Sequence, residues 1–202
     1  TTLASSALQV AALDVDDDGD VDLVSASYSD DTIAWYENDG SQSFTERIVG
    51  NGAYGKADGA SGVYAIDVDG DGDVDVAVSS TNDDTIAWFE NDGSQSFTEH
   101  VVTTLLDGPS AIFGIDVNGD GDVDLVATAR VADVTVWYES DGSEAFTEHA
   151  LVSSSQPQST AAIDLDADAD VDILYCASGD NKVAWLENDG SESFTERVIS
   201  DT

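Results

Sequence analysis

One phrase is written four times in this chain: DVDDDGDVDLV from Asp14, DVDGDGDVDVA from Asp67, DVNGDGDVDLV from Asp116 and DLDADADVDIL from Asp164. A sequence that returns to itself at a fixed period folds as neighbouring copies of one supersecondary unit, so the period limits the fold before any single residue does. Trp35, Trp88, Trp137 and Trp185 recur at steps of 53, 49 and 48 residues, and Phe44, Phe97, Phe146 and Phe194 keep the same steps.

Each unit predicts four short strands. In the first they are ALQVAALDV, DLVSASY after the acidic loop, TIAWYE after SDD, and FTERIV after NDGSQS. Turn signals separate apolar runs at the spacing of a β-meander. Asp39-Gly40, repeated at Asp92-Gly93, Asp141-Gly142 and Asp189-Gly190, predicts a tight hairpin in which Gly takes positive φ. Side chains alternate across a strand, so Ile33 and Trp35 face one way and Ala34 and Tyr36 the other. Both faces are apolar, and a sheet apolar on both faces must lie between two others. The expected fold is all-β, a β-propeller of four four-stranded antiparallel blades at about 1–49, 50–102, 103–151 and 152–202. The innermost strand comes first and the outermost last. A compact ring of four, part of a larger ring and a half that pairs with a second copy all fit this pattern.

Numbered from its first Asp, each loop carries oxygen donors at places 1, 3, 5 and 9: Asp14, Asp16, Asp18, Asp22; Asp67, Asp69, Asp71, Asp75; Asp116, Asn118, Asp120, Asp124; and Asp164, Asp166, Asp168, Asp172. A hard cation such as Ca²⁺ takes about 6 to 8 oxygens, and the backbone carbonyls at place 7 (Asp20, Asp73, Asp122, Asp170) would add one each. Two carboxylates about 4 Å apart repel by roughly 4 kcal/mol at an effective dielectric near 20, so converging aspartates call for a cation. The plain alternative is Asp-Gly turn chemistry on a solvated surface. An EF-hand is excluded, because place 12 holds Ser25, Val78, Ala127 and Tyr175 in a strand where that motif needs a bidentate Glu. Zinc is disfavoured, because the loops offer neither His nor Cys.

The DxDxDGxxD loop between the first two strands of such a unit resembles the FG-GAP or VCBS-type repeat, the calcium-binding blade of integrin α-subunit propellers and of many secreted microbial and algal proteins. The resemblance covers the chain in four copies. It implies a β-propeller, one Ca²⁺ per loop, and an extracellular or cell-surface setting in which adhesion or ligand recognition is common. Two features depart from it: rings of that family commonly have seven blades, and the fourth loop has Ala167 and Ala169 where the second has Gly70 and Gly72. Ala169 is therefore expected to strain the backbone and leave the fourth site weakest.

Composition narrows the partners. With 43 acids against 5 Lys and Arg, a net charge of −38 repels nucleic acid and anionic membrane surfaces. The sequence has no 18-residue apolar run for membrane insertion and no basic leader before an apolar segment. It has no methionine, which marks a processed form or a piece of something longer, and its single cysteine, Cys176, excludes an internal disulfide. The expected partners are an extracellular protein or glycan, or further copies of the chain.

The tryptophans read as inter-blade core rather than a sugar platform, and Tyr54, borne on a loop, is the better ligand candidate. His100 and His149 share a unit position with Arg47 and Arg197, which suggests a solvated outer edge. Cys176 aligns with Ala26, Ser79 and Thr128 as a small packed residue. No catalytic constellation stands apart from the repeat, so the chain reads as a non-enzymatic structural or adhesive module. A lectin-like module and a non-catalytic region of a larger secreted enzyme are the alternatives.

Overall fold

The computed structural model describes residues 4–51 and 57–201, and Tyr54 lies outside them. Blade 1 comprises β1 (Ala7–Leu13), β2 (Asp22–Ser27), β3 (Thr32–Asn38) and β4 (Phe44–Asn51); blade 2 comprises β5 (Ala60–Ile66), β6 (Asp75–Ser80), β7 (Thr85–Asn91) and β8 (Phe97–Thr103). Blade 3 comprises β9 (Pro109–Ile115), β10 (Asp124–Ala129), β11 (Val134–Ser140) and β12 (Phe146–Ser153); blade 4 comprises β13 (Pro157–Ile163), β14 (Asp172–Ala177), β15 (Lys182–Asn188) and β16 (Phe194–Ser200). Every sheet is a sequential antiparallel meander, as the repeat predicts, and the described residues contain no helix.

The blades stand in a curved row. The innermost strands pack β1 on β5, β5 on β9 and β9 on β13. Three apolar clusters fill the seams: Val24, Ile33 and Trp35 against Val63, Val76 and Phe89; Ala77, Ile86 and Trp88 against Ile112, Leu125 and Tyr138; Val126 and Trp137 against Ala162, Ile173 and Leu186. Among the described residues no fourth cluster joins blade 4 to blade 1. Each seam sets the face carrying Trp against the opposite face of the next blade, which is why both faces of TIAWYE are apolar. Phe97 meets Trp35 edge-on at 6.4 Å between centroids, and Phe194 meets Trp137 at 6.2 Å.

Polar bonds repeat at the same seams. Asp31, Asp84 and Asp133, in the turns after the second strands, accept the backbone N–H of Gly59, Gly108 and Gln156 at the start of the next blade (2.9, 3.0 and 2.8 Å). Bulges in the first strands turn Ser61 and Ser110 so that their hydroxyls donate to Pro109 O and Pro157 O of the following blade. On the acidic-loop side, Asn91 Nδ2 donates across the first seam to Val15 O (3.2 Å) and Asn188 Nδ2 across the third to Val117 O (3.4 Å); blade 3 has Ser140 at that position.

The Asp-Gly hairpin differs from its expected form. Gly40 does take positive φ (70°), but the connection is the five-residue stretch 39–43, with Gln42 also at φ 66° and Asp39 N–H donating to Ser43 O at 3.1 Å. The Asp39 carboxylate accepts from Ser41 Oγ, Ser41 N and Ser43 N, and those bonds hold its pKa below the ordinary range. A side chain that closes the loop itself replaces the two-residue turn.

Candidate metal centre

The acidic loops connect the first and second strands of each blade, and their first aspartate closes them. Asp14 accepts the N–H of Asp18 and Gly19, Asp67 those of Gly70 and Gly72, Asp116 those of Gly119 and Gly121, and Asp164 those of Ala167, Asp168 and Ala169, at 2.7 to 3.2 Å. At place 5, Asp18, Asp71, Asp120 and Asp168 each accept the N–H of place 7. Folded in this way, the carboxylates converge. Ligand atoms of Asp14, Asp16 and Asp18, of Asp67, Asp69 and Asp71, and of Asp164, Asp166 and Asp172 lie within 4.8 Å of one another. In the third loop Asn118 Nδ2 donates to Asp120 at 3.0 Å and to Glu139 at 3.3 Å, so an amide relieves the repulsion there.

Place 3 in the first loop is partly sheltered. Asp16 Oδ1 is buried without a hydrogen-bond donor. Burial first, and then the neighbouring carboxylates Asp18, Asp22 and Glu37, raise the Asp16 pKa, and Asp69 is raised chiefly by burial in the same way. A divalent cation would supply the missing counter-charge, and an all-oxygen donor set suits a hard one.

Place 9 has a second task. Asp22 is fully buried and accepts Val15 N (3.1 Å), Trp35 Nε1 (2.9 Å) and Asn38 N (2.7 Å), tying the loop to the end of β3. Asp75, Asp124 and Asp172 accept the matching pairs Val68 and Asn91, Val117 and Ser140, and Leu165 and Asn188. Burial pushes Asp75 up to about 7 and Asp124 up to about 6 against the opposing pull of these bonds. Of the four, Asp172 alone belongs to one of the converging triads among the described residues. At place 7 the Asp73 side chain lies against Gly93, where a Cβ would come within 2.5 Å of it, and Asp20, Asp122 and Asp170 lie likewise against Gly40, Gly142 and Gly190.

Ala169 has φ 81° where Gly19, Gly72 and Gly121 have 95°, 102° and 100°, the left-handed backbone anticipated from the sequence. Nothing stands within 4 Å of a Cβ at those glycines, so the strain is purely conformational. Ala169→Gly is expected to stabilise the chain by about 1 kcal/mol in urea denaturation.

Sequence reasoning missed a glutamate. Glu37, Glu90, Glu139 and Glu187, two residues after each Trp, stand on the third strand; the first three border place 3 of their loops, and all four bond the outer strand. Its signal was the repeated Trp-x-Glu. The solvated-edge reading of the histidines is corrected by the same contacts. His100 and His149 are half-buried, stack on Trp88 and Trp137 at 4.5 Å, and bond Glu90 at 2.6 Å and Glu139 at 2.7 Å. Arg47 lies over Trp35 at 5.3 Å and pairs with Glu37, so Arg and His share the position because either caps a Trp and bonds a Glu. Trp35, Trp88 and Trp137 are core, as expected, whereas Trp185 and Cys176 are half-buried.

A family model of the FG-GAP-like repeat matches residues 14–78, 67–127 and 116–175. No curated protein matches the chain in sequence. Among solved structures, the chain is similar to an Agrocybe aegerita lectin that recognises non-reducing terminal N-acetylglucosamine (17% identity, TM-score 0.63, covering 96% of this chain and 54% of that one). It is also similar to BBS1N, solved in complex with ARL6DN (14%, 0.65, 98% and 58%), and to a Bacteroides fragilis protein described as a candidate 6-phosphogluconolactonase (15%, 0.65, 96% and 54%). The chain spans a little over half the length of these structures, and at such identities the likeness concerns the fold.

Proposed function

The chain belongs to the FG-GAP-like repeat family, and from that premise we propose that it is a calcium-binding extracellular propeller module with a structural or adhesive role, each loop holding one Ca²⁺ that stabilises its blade. The observation that carries this reading is the sheltered Asp16 Oδ1, lacking any donor at the centre of converging carboxylates. Places 1, 3 and 5 would bind the ion through side chains and place 7 through its carbonyl, with Asp172 joining in the fourth loop. Among the described residues Arg47, Arg197 and Lys182 pair with Glu37, Glu187 and Glu196, not with the triads. A net charge of −38 suits secretion into salty water where calcium is millimolar. We read the chain as non-enzymatic, because its chemistry repeats blade by blade.

Calorimetric titration at moderate salt is expected to saturate near four Ca²⁺ per chain, with the fourth loop filling last, and Asp69→Asn to remove one ion while the circular dichroism stays unchanged. Absence of binding heat, or a preference for Zn²⁺, sinks the reading. One observation favours ligand recognition as a second role. Tyr28, Ser61, Thr81, Ser110, Arg130 and Gln158, drawn from all four blades, line a cavity of about 320 Å³ whose hydroxyl and amide groups suit a glycan or a protein loop. Retention on a glycan array only in calcium would support it.

A further inference from the structure

The three internal seams define what a blade face needs, and each end of the row lacks what the other end offers. On blade 4, Trp185 occupies the place of Trp35, Trp88 and Trp137, which are at most 1% exposed, yet it is only half-buried, and Ile199 and Leu165 of the same blade are 60% and 45% exposed. On blade 1 the opposite face is bare: Val10 is 62% exposed, whereas its counterparts Val63 and Ile112 are at most 1% exposed in seams, and Phe44 is 48% exposed where Phe97, Phe146 and Phe194 are half-buried. A groove lined by Ala7, Gln9, Val10, Ser25 and Tyr36 runs along this face.

The polar positions match as well. Asn181 stands where Asp31, Asp84 and Asp133 accept from the next blade, and Ser6, with φ 58°, stands where Gly59, Gly108 and Gln156 donate. Asn38 stands where Asn91 and Asn188 reach the preceding blade, and Leu165 O is the carbonyl it would find.

We propose that blade 4 of one copy of this chain seats on blade 1 of a second copy and the reverse, so that two four-bladed arcs close an eight-bladed ring. Trp185 then meets Phe44 of the second copy edge-on, Asn181 accepts from its Ser6, and Asn38 donates to Leu165 O. Eight blades lie within the usual range of propellers. A two-fold axis along the ring gives both seams at once, so the contact is self-complementary.

Sedimentation of the chain in millimolar Ca²⁺ and moderate salt is expected to give about 42 kDa, twice 21.1 kDa. Phe44→Asp and Ile199→Asp change side chains that are exposed in the single chain, so each should fold and each should weaken dimerisation by at least about thirtyfold. Mixed together, they should recover a dimer, because the mixture retains one intact seam between blade 4 of the first variant and blade 1 of the second. A 21.1 kDa species for the unaltered chain overturns the proposal. So does a dimer that either variant leaves intact, or two monomeric variants that stay apart when mixed.

Discussion

Moving the protein from millimolar Ca²⁺ into a chelator is expected to lower its melting temperature by roughly 15–45 °C. At free calcium a hundredfold above its dissociation constant, each ion stabilises the folded chain by about 2.7 kcal/mol, so three or four loops contribute about 8 to 11 kcal/mol. For a chain of this size, 1 kcal/mol moves the midpoint by about 2–4 °C. Blades in a row couple mainly to their neighbours, so the transition should also broaden. Circular dichroism at rising temperature, with and without chelator, reads both effects. An unchanged midpoint means that the aspartate loops are turns and not cages.

The second large effect is expected at a residue with two tasks. Asp22→Ala deletes an acceptor that serves Val15 N, Asn38 N and the Trp35 indole in a fully buried place. Three stranded donors at about 1–3 kcal/mol each, discounted because such losses do not simply add, give a destabilisation of about 3–6 kcal/mol. Urea midpoints should show most of this loss even in chelator, because closing the hairpin needs no ion. Asp201→Ala, on the exposed tail, should stay within about 0.5 kcal/mol. A loss below about 1 kcal/mol in chelator would reduce Asp22 to a metal ligand and nothing more.

The strands, their order and the acidic loops were legible in the sequence because repetition makes each assignment fourfold. TIAWYE announces a buried strand by being apolar on both faces, and it and its three counterparts form the third strands. The positive φ at Ala169 followed from the glycines aligned with it. Two features were not legible. A run of aspartates does not reveal which carboxylates face outward and which turn into the core, so Asp22 and Asp75 looked like Asp16 and Asp69 although the hairpin claims both of their oxygens. The Arg and His positions look like a wet edge when read along one strand. Only the register placing Trp88 opposite His100 and Trp137 opposite His149 shows that they cap the indoles.

The amide of Asn91 grips Val15 O, in the residue that follows the first aspartate of blade 1's loop, and Asn188 does the same to Val117 O in blade 3. A loop that closed more tightly around an ion would therefore pull on the neighbouring blade through one bond. At the middle seam Ser140 replaces the amide, and that tether is missing. The four acidic loops are thus mechanically wired as two couples, first with second and third with fourth, and tension set up within one couple has no such route into the other.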